Sequence, residues 1–183
     1  MRTFQLSVLI LVMLATGASS QVIDCLDGSD GGDRVTRGFY CSDYPGTTIE
    51  RVDLHLSAES AGEYVIRMTI RTDTYNGLQV GQAEATVTLP GGPSNHVLTS
   101  FLFPSTSVAP HALLTFALEE VSGPDLMYYA PTTSNSACPI TQTNGTTPPL
   151  DTFRRNGVRV AIHGAGLVTS DDRSWSMIKQ AFR

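Results

Sequence analysis

Between Glu63 and Thr72 the chain alternates residue by residue. Tyr64, Ile66, Met68 and Ile70 fall on one side of the pattern, and Val65, Arg67, Thr69 and Arg71 on the other. A strict period of two marks an extended strand with one face in an apolar core and one in water. The same scheme recurs on both sides. Val52, Leu54 and Leu56 alternate with Arg51, Asp53, His55 and Ser57, and Ala83, Ala85, Val87 and Leu89 alternate with Glu84, Thr86 and Thr88. Val97, Thr99, Phe101 and Phe103 form another strand that Pro104 closes, and Val35, Phe39 and Tyr40 mark a first one over 34–41. Residues 112–121 contain good helix formers, but Leu114, Phe116 and Leu118 share a face and turn signals bound the segment, so a strand is expected. A short strand over 126–130 carries Tyr128 and Tyr129, and Val158, Val160 and Ile162 make the last, with Arg159 and His163 outward. One-faced strands bury their apolar rows only against each other. About eight of them at this turn spacing predict an all-β fold, an antiparallel sandwich of jelly-roll type.

The two ends of the chain break the pattern. Met1-Arg2, the apolar run Phe4 to Leu14 and the small residues Ala18-Ser19-Ser20 read as a secretory signal cut after Ser20. That apolar run is too short to span a bilayer, so no membrane insertion is expected after the cut. Residues 21–33 read as a flexible N-terminal segment, 34–166 as the sandwich domain, and 167–183 as a tail. Ser170, Asp171 and Asp172 at its start, Lys179 and Arg183 near its end, and Trp175, Ile178 and Phe182 on one face predict a short amphipathic C-terminal helix. Residues 131–150 read as a long loop with little to bury.

Charge and cysteine content narrow the function classes. The formal net charge is −5, and loss of Arg2 with the signal takes it to −6. Lys179 is the only lysine and there is no basic cluster, which argues against nucleic acid as a partner. A secreted or periplasmic address puts Cys25, Cys41 and Cys138 in an oxidising compartment, where one bridge and one leftover thiol are expected. Three pairings are open, and Cys25–Cys41, which closes the shortest loop, is preferred. Asp27, Asp30 and Asp33 in a glycine-rich run read as a loop, or as carboxylates able to wrap a structural calcium ion.

The search for catalytic residues yields none. His55, His96, His111 and His163 stand in no metal-type pair, and no Gly-x-Ser-x-Gly elbow or phosphate-binding glycine loop is present. Of the carboxylates, Glu119 and Glu120 point to opposite faces of a strand, and Glu63 and Glu84 are the pair able to face each other across neighbouring strands. Glycoside hydrolysis needs two carboxylates flanking one bond, so a hydrolase is the weakest alternative. Exposed aromatics are more suggestive. Tyr75 with Asn76, Tyr128 with Tyr129, and Trp175 are candidates for stacking sugar rings, although one of Tyr128 and Tyr129 must turn inward in an extended segment.

Tyr128-Tyr129, the following Asn/Ser/Cys-Pro-rich loop, and Asp151-Thr-Phe-Arg before a closing strand resemble bacterial secreted jelly-roll domains, over roughly residues 34–165. The resemblance implies a β-sandwich similar to carbohydrate-binding modules and carries over no catalytic residue. The expected function is a secreted, non-catalytic, glycan-binding module. The alternative is a structural or adhesive surface protein that self-associates or is sorted through its C-terminal tail.

Overall fold

A computed structural model describes residues 20–26, 34–35, 38–125, 127–129, 140–143 and 158–166. Eleven strands run through these residues: β1 (Ser20–Asp24), β2 (Arg34–Val35), β3 (Gly38–Tyr44), β4 (Thr48–Ala58), β5 (Gly62–Thr72), β6 (Gln79–Leu89), β7 (Val97–Ser107), β8 (Ala112–Ser122), β9 (Met127–Tyr129), β10 (Ile140–Thr143) and β11 (Val160–Gly164). Every pairing is antiparallel. One sheet is centred on β4, which pairs with β7, β11 and β9, and extends to β1 and β2. The other runs β10-β3-β8-β5-β6. The described residues form an all-β sandwich, as the alternation predicts.

The inner rows are the ones the pattern assigns. Tyr64, Ile66, Met68 and Ile70 of β5 are fully buried, as are Val52, Leu54 and Leu56 of β4 facing them from the other sheet. Phe39 and Phe116 pair in register and stack at 4.7 Å between ring centroids. Residues 112–122 are extended despite their helix-forming composition. Pairing with β3 and β5 and burying Leu114, Phe116 and Leu118 in the core outweigh an intrinsic preference of about a few tenths of a kcal/mol per residue.

Four local expectations change. β7 does not stop at Pro104 but runs on to Ser107. Among the described strands it pairs only with β4, and its register shifts where Pro104 lies, between Leu102 opposite Arg51 and Thr106 opposite Ile49. An edge strand at a bulge needs no amide hydrogen there, so proline is tolerated. Ser20–Asp24, at the start of the segment read as flexible, is a strand paired with β11. Ile140–Thr143, read as loop, is a strand on β3, with Ile140 buried. Glu63 and Glu84 do not face each other: Glu63 is registered with Thr88, and Glu84 with Arg67.

The preferred bridge is also corrected. Cys41 is a free, buried thiol and is therefore not joined to Cys25. Its side chain lies in the core beneath β3, where desolvation pushes the thiol up to about 11 and keeps it protonated and inert. Residues 1–19 of the expected signal, the calcium loop at Asp27, Asp30 and Asp33, and the tail helix with Trp175 lie outside the described residues.

Candidate ligand-binding face

Two outer faces are available to solvent, and they are built differently. On the β10-β3-β8-β5-β6 sheet the centre of the outer face is Arg67. Its guanidinium bonds Glu84 Oε1 from Nε at 2.9 Å and Glu119 Oε2 from Nη1 at 2.9 Å, each from a neighbouring strand. These two acceptors, Glu84 first, hold the arginine more firmly protonated than usual. All three groups are in water, and the site is closed by its own charges.

The outer face of the β4 sheet gathers a different set. Register places His163 of β11 opposite Arg51, Leu102 of β7 opposite Arg51, Ser100 opposite Asp53, and Leu98 opposite His55. The centre is Asp53, only 6 % exposed although it lies on the outer row. Ser100 Oγ donates to its Oδ1 at 2.7 Å, and His163 Nε2 donates to its Oδ2 at 2.8 Å. Arg51 Nε lies 3.1 Å from the same Oδ2 as an ion pair, with its N–H not aligned for a hydrogen bond. Arg51 Nη2 lies against the imidazole, 3.0 Å from Nε2 and 3.3 Å from Nδ1. Arginine has only donors, so the tautomer that serves Asp53 carries its hydrogen on Nε2 and leaves Nδ1 as the acceptor toward Arg51.

A buried carboxylate is tolerated when it is paired and hydrogen-bonded, and three strands here supply the partners. The side chains around Asp53 are thereby fixed in position. The order Ser100–Asp53–His163 puts the carboxylate between hydroxyl and imidazole. Nucleophilic catalysis needs the imidazole in the middle to take the serine proton. The cluster is therefore suited to holding a surface in shape. Around it, Leu98 is 51 % and Leu102 is 69 % exposed, and Arg51 keeps 44 % of its side-chain surface. His55 and His96, half-buried, stand edge to face with centroids 6.5 Å apart beside Leu98.

The residues singled out from the sequence do not converge. Tyr75 and Asn76 sit in the β5–β6 loop, and Tyr128 and Tyr129 pair with Ser57 and Leu56 where β4 ends and turns toward β5. These are opposite ends of the sandwich. Tyr75 is folded back, its hydroxyl buried and 3.0 Å from where a Cβ on Gly38 would stand. Gly38 has φ of +137°, and a Cβ there would also strike the Phe116 carbonyl, so glycine is required where Tyr75 packs. Tyr75 thus secures its loop and does not present a free ring. Asn76 is exposed, and its backbone N–H donates to Thr74 Oγ1. Tyr128 is registered with Ser57 on the outer row that continues to His55, whereas Tyr129 is registered with Leu56 on the inner row. Trp175 lies outside the described residues. Among the described residues no three His, Cys, Asp or Glu side chains come together to hold a metal ion.

Sequence reasoning took the histidines as scattered. Three of the four, His55, His96 and His163, belong to this one face, while His111 pairs with Asp43 at 2.7 Å on a loop. The alternation Arg51-x-Asp53-x-His55 was the available signal, but the partners come from β7 and β11 and depend on register. No family model, curated protein or solved structure matches the chain.

Proposed function

We propose that the chain is an exported, non-catalytic β-sandwich module that binds glycan on the outer face of the β4 sheet. The reading is carried by one observation: exposed Leu98 and Leu102 flank a fixed Arg51–Asp53–His163 network across three adjacent strands. A sugar ring offers apolar C–H faces rimmed by hydroxyls. Leucine side chains suit the faces, and Arg51 and the histidines suit the rim. Side chains already held by Asp53 lose little freedom on binding, so less of the interaction is offset by ordering.

A glycan array probed with the purified chain tests this reading. Binding to a defined set of sugars is expected, with a large loss on Leu98→Asp. Absence of binding to every sugar contradicts it.

A second reading is self-association through β7. Among the described strands β7 has one paired edge, against β4, and it carries both exposed leucines. Free strand edges template pairing between chains. Sedimentation velocity separates the two readings: a monomer at high concentration that still binds glycan excludes assembly through β7.

A further inference from the structure

The surroundings of the two central arginines differ in a way that bears on the ligand's charge. On the β5 sheet, Arg67 is held between Glu84 and Glu119, which would repel an incoming anion. On the β4 sheet, Arg51 faces one carboxylate, Asp53, whose charge is already met by Ser100 and His163 as well. The Nε edge of Arg51 turns to Asp53 and Nη2 lies on the imidazole, while Nη1 has no partner among the described residues. Glu50 precedes it in the chain, where the β4–β7 register shifts. Arg159, just before β11, accepts the His55 backbone N–H on its carbonyl at 3.4 Å, and its Nε donates to the Leu26 carbonyl at 3.0 Å, so its guanidinium is turned toward Leu26. Asp24, at the far strand of the face, accepts from the Leu26 amide. The chain as a whole is acidic, so a partly open guanidinium pinned on a sheet face is a local exception.

We propose that the ligand is an acidic polysaccharide, a uronic-acid polymer, whose carboxylate is received by Arg51 while Leu98 and Leu102 carry the sugar rings. A guanidinium presents parallel donors that match a carboxylate in geometry and charge. The leucines stand one on each side of Ser100 along β7, Leu102 opposite Arg51 and Leu98 opposite His55, so charge and apolar recognition fall on neighbouring rows of one face. The inference rests on the glycan-binding reading and adds the charge of the ligand to it.

Affinity electrophoresis of the whole chain in gels containing polygalacturonate or neutral galactan is the test. Retardation by polygalacturonate and not by galactan is expected, weakening as salt is added. Arg51→Gln should lower the affinity about tenfold or more, the loss of a charge-assisted hydrogen bond. Leu102→Asp, at an exposed position that leaves the core untouched, should do the same by placing a like charge beside the ligand carboxylate. It keeps the test decisive should Arg51→Gln disturb the fold. Arg67→Gln should leave retardation unchanged. Equal retardation by both polymers, with no effect of Arg51→Gln or Leu102→Asp, overturns the acidic-ligand inference and leaves glycan binding standing. Retardation by neither polymer also overturns it, and the glycan array then decides the broader reading separately.

Discussion

The strands β4 and β5 read alike, an apolar row alternating with arginine, aspartate, threonine and histidine, yet their outer faces are opposites. Arg67 on β5 stands in water between two exposed carboxylates. Asp53 on β4 is nearly out of water, and a serine, a histidine and an arginine from three strands close around it. The first arrangement is a solvated face of ordinary kind, where ion pairs contribute little. The second is a buried polar network, costly to leave half-made, and it holds neighbouring groups in place. The difference teaches that alternation specifies which residues face out, while the fate of an outward charge depends on what the neighbouring strands bring beside it.

The largest expected contrast is in stability. Asp53→Ala leaves Arg51, His163 and Ser100 around an empty position and should cost about 3–5 kcal/mol, the usual penalty for removing one member of a buried pair. Arg67→Ala should cost less than about 1 kcal/mol. Urea unfolding of the two variants checks this, and equal losses would erase the distinction between the faces.

Cys25 and Cys41 divide between the same two sheets. Cys41 is free beneath β3, whereas Cys25, just past β1, is not among the free cysteines of the described residues. A non-reducing peptide map should show Cys25 joined to Cys138, with Cys41 unreactive toward alkylating agents until the chain unfolds. Replacing both Cys25 and Cys138 with serine should cost about 2–4 kcal/mol. A peptide joining Cys41 to either partner would contradict the assignment.

The sheet carrying Arg67 has a polar lock of its own, which sharpens the comparison through pH. Tyr64, buried in the core row, donates to Asp125 Oδ1 at 2.7 Å. Burial, then the bond to Asp125, pushes Tyr64 up to about 12. The unfolded chain deprotonates near pH 10. Stability from this group is therefore full below about pH 10 and lost as pH rises toward 12, in the same direction as for the buried Tyr44. Hydrogen bonds from Ser60 first and Tyr64 second hold Asp125 below its usual range. Its contribution is present above the ordinary carboxylate range and is lost as pH falls through the depressed value. Tyr64→Phe should cost about 0.5–1.5 kcal/mol at neutral pH and flatten part of the alkaline decline, as thermal melts across pH would show. An unchanged alkaline slope would remove Tyr64 as its source.

The smallest effect belongs to the exposed margin of the β4 face. Leu102→Asp should change the unfolding free energy by no more than about 0.5 kcal/mol. A larger loss would mean that Leu102 supports the fold and is not free for a ligand.

The inner rows were legible because burial repeats every second residue in Tyr64 to Ile70 and Val52 to Leu56. Ile140–Thr143 was not, since one isoleucine among polar residues gives no period to detect. Pro104 misled because its missing donor matters only where a neighbouring strand needs it. The candidate face was hidden for a related reason. Asp53 reads as one more wet-face residue until register brings Ser100 and His163 to it, the latter 110 residues along the chain. The aromatics drew attention by composition alone, and Tyr75 turned out to brace its own loop against Gly38.

Amide chemical-shift mapping during a titration with polygalacturonate oligosaccharide tests the central claim most directly. Perturbations concentrated on Arg51 to His55, Leu98 to Leu102 and His163 are predicted, with Arg67, Glu84 and Glu119 unmoved. Perturbations centred on Arg67 and its neighbours, or on the loop at 73–78, would contradict it.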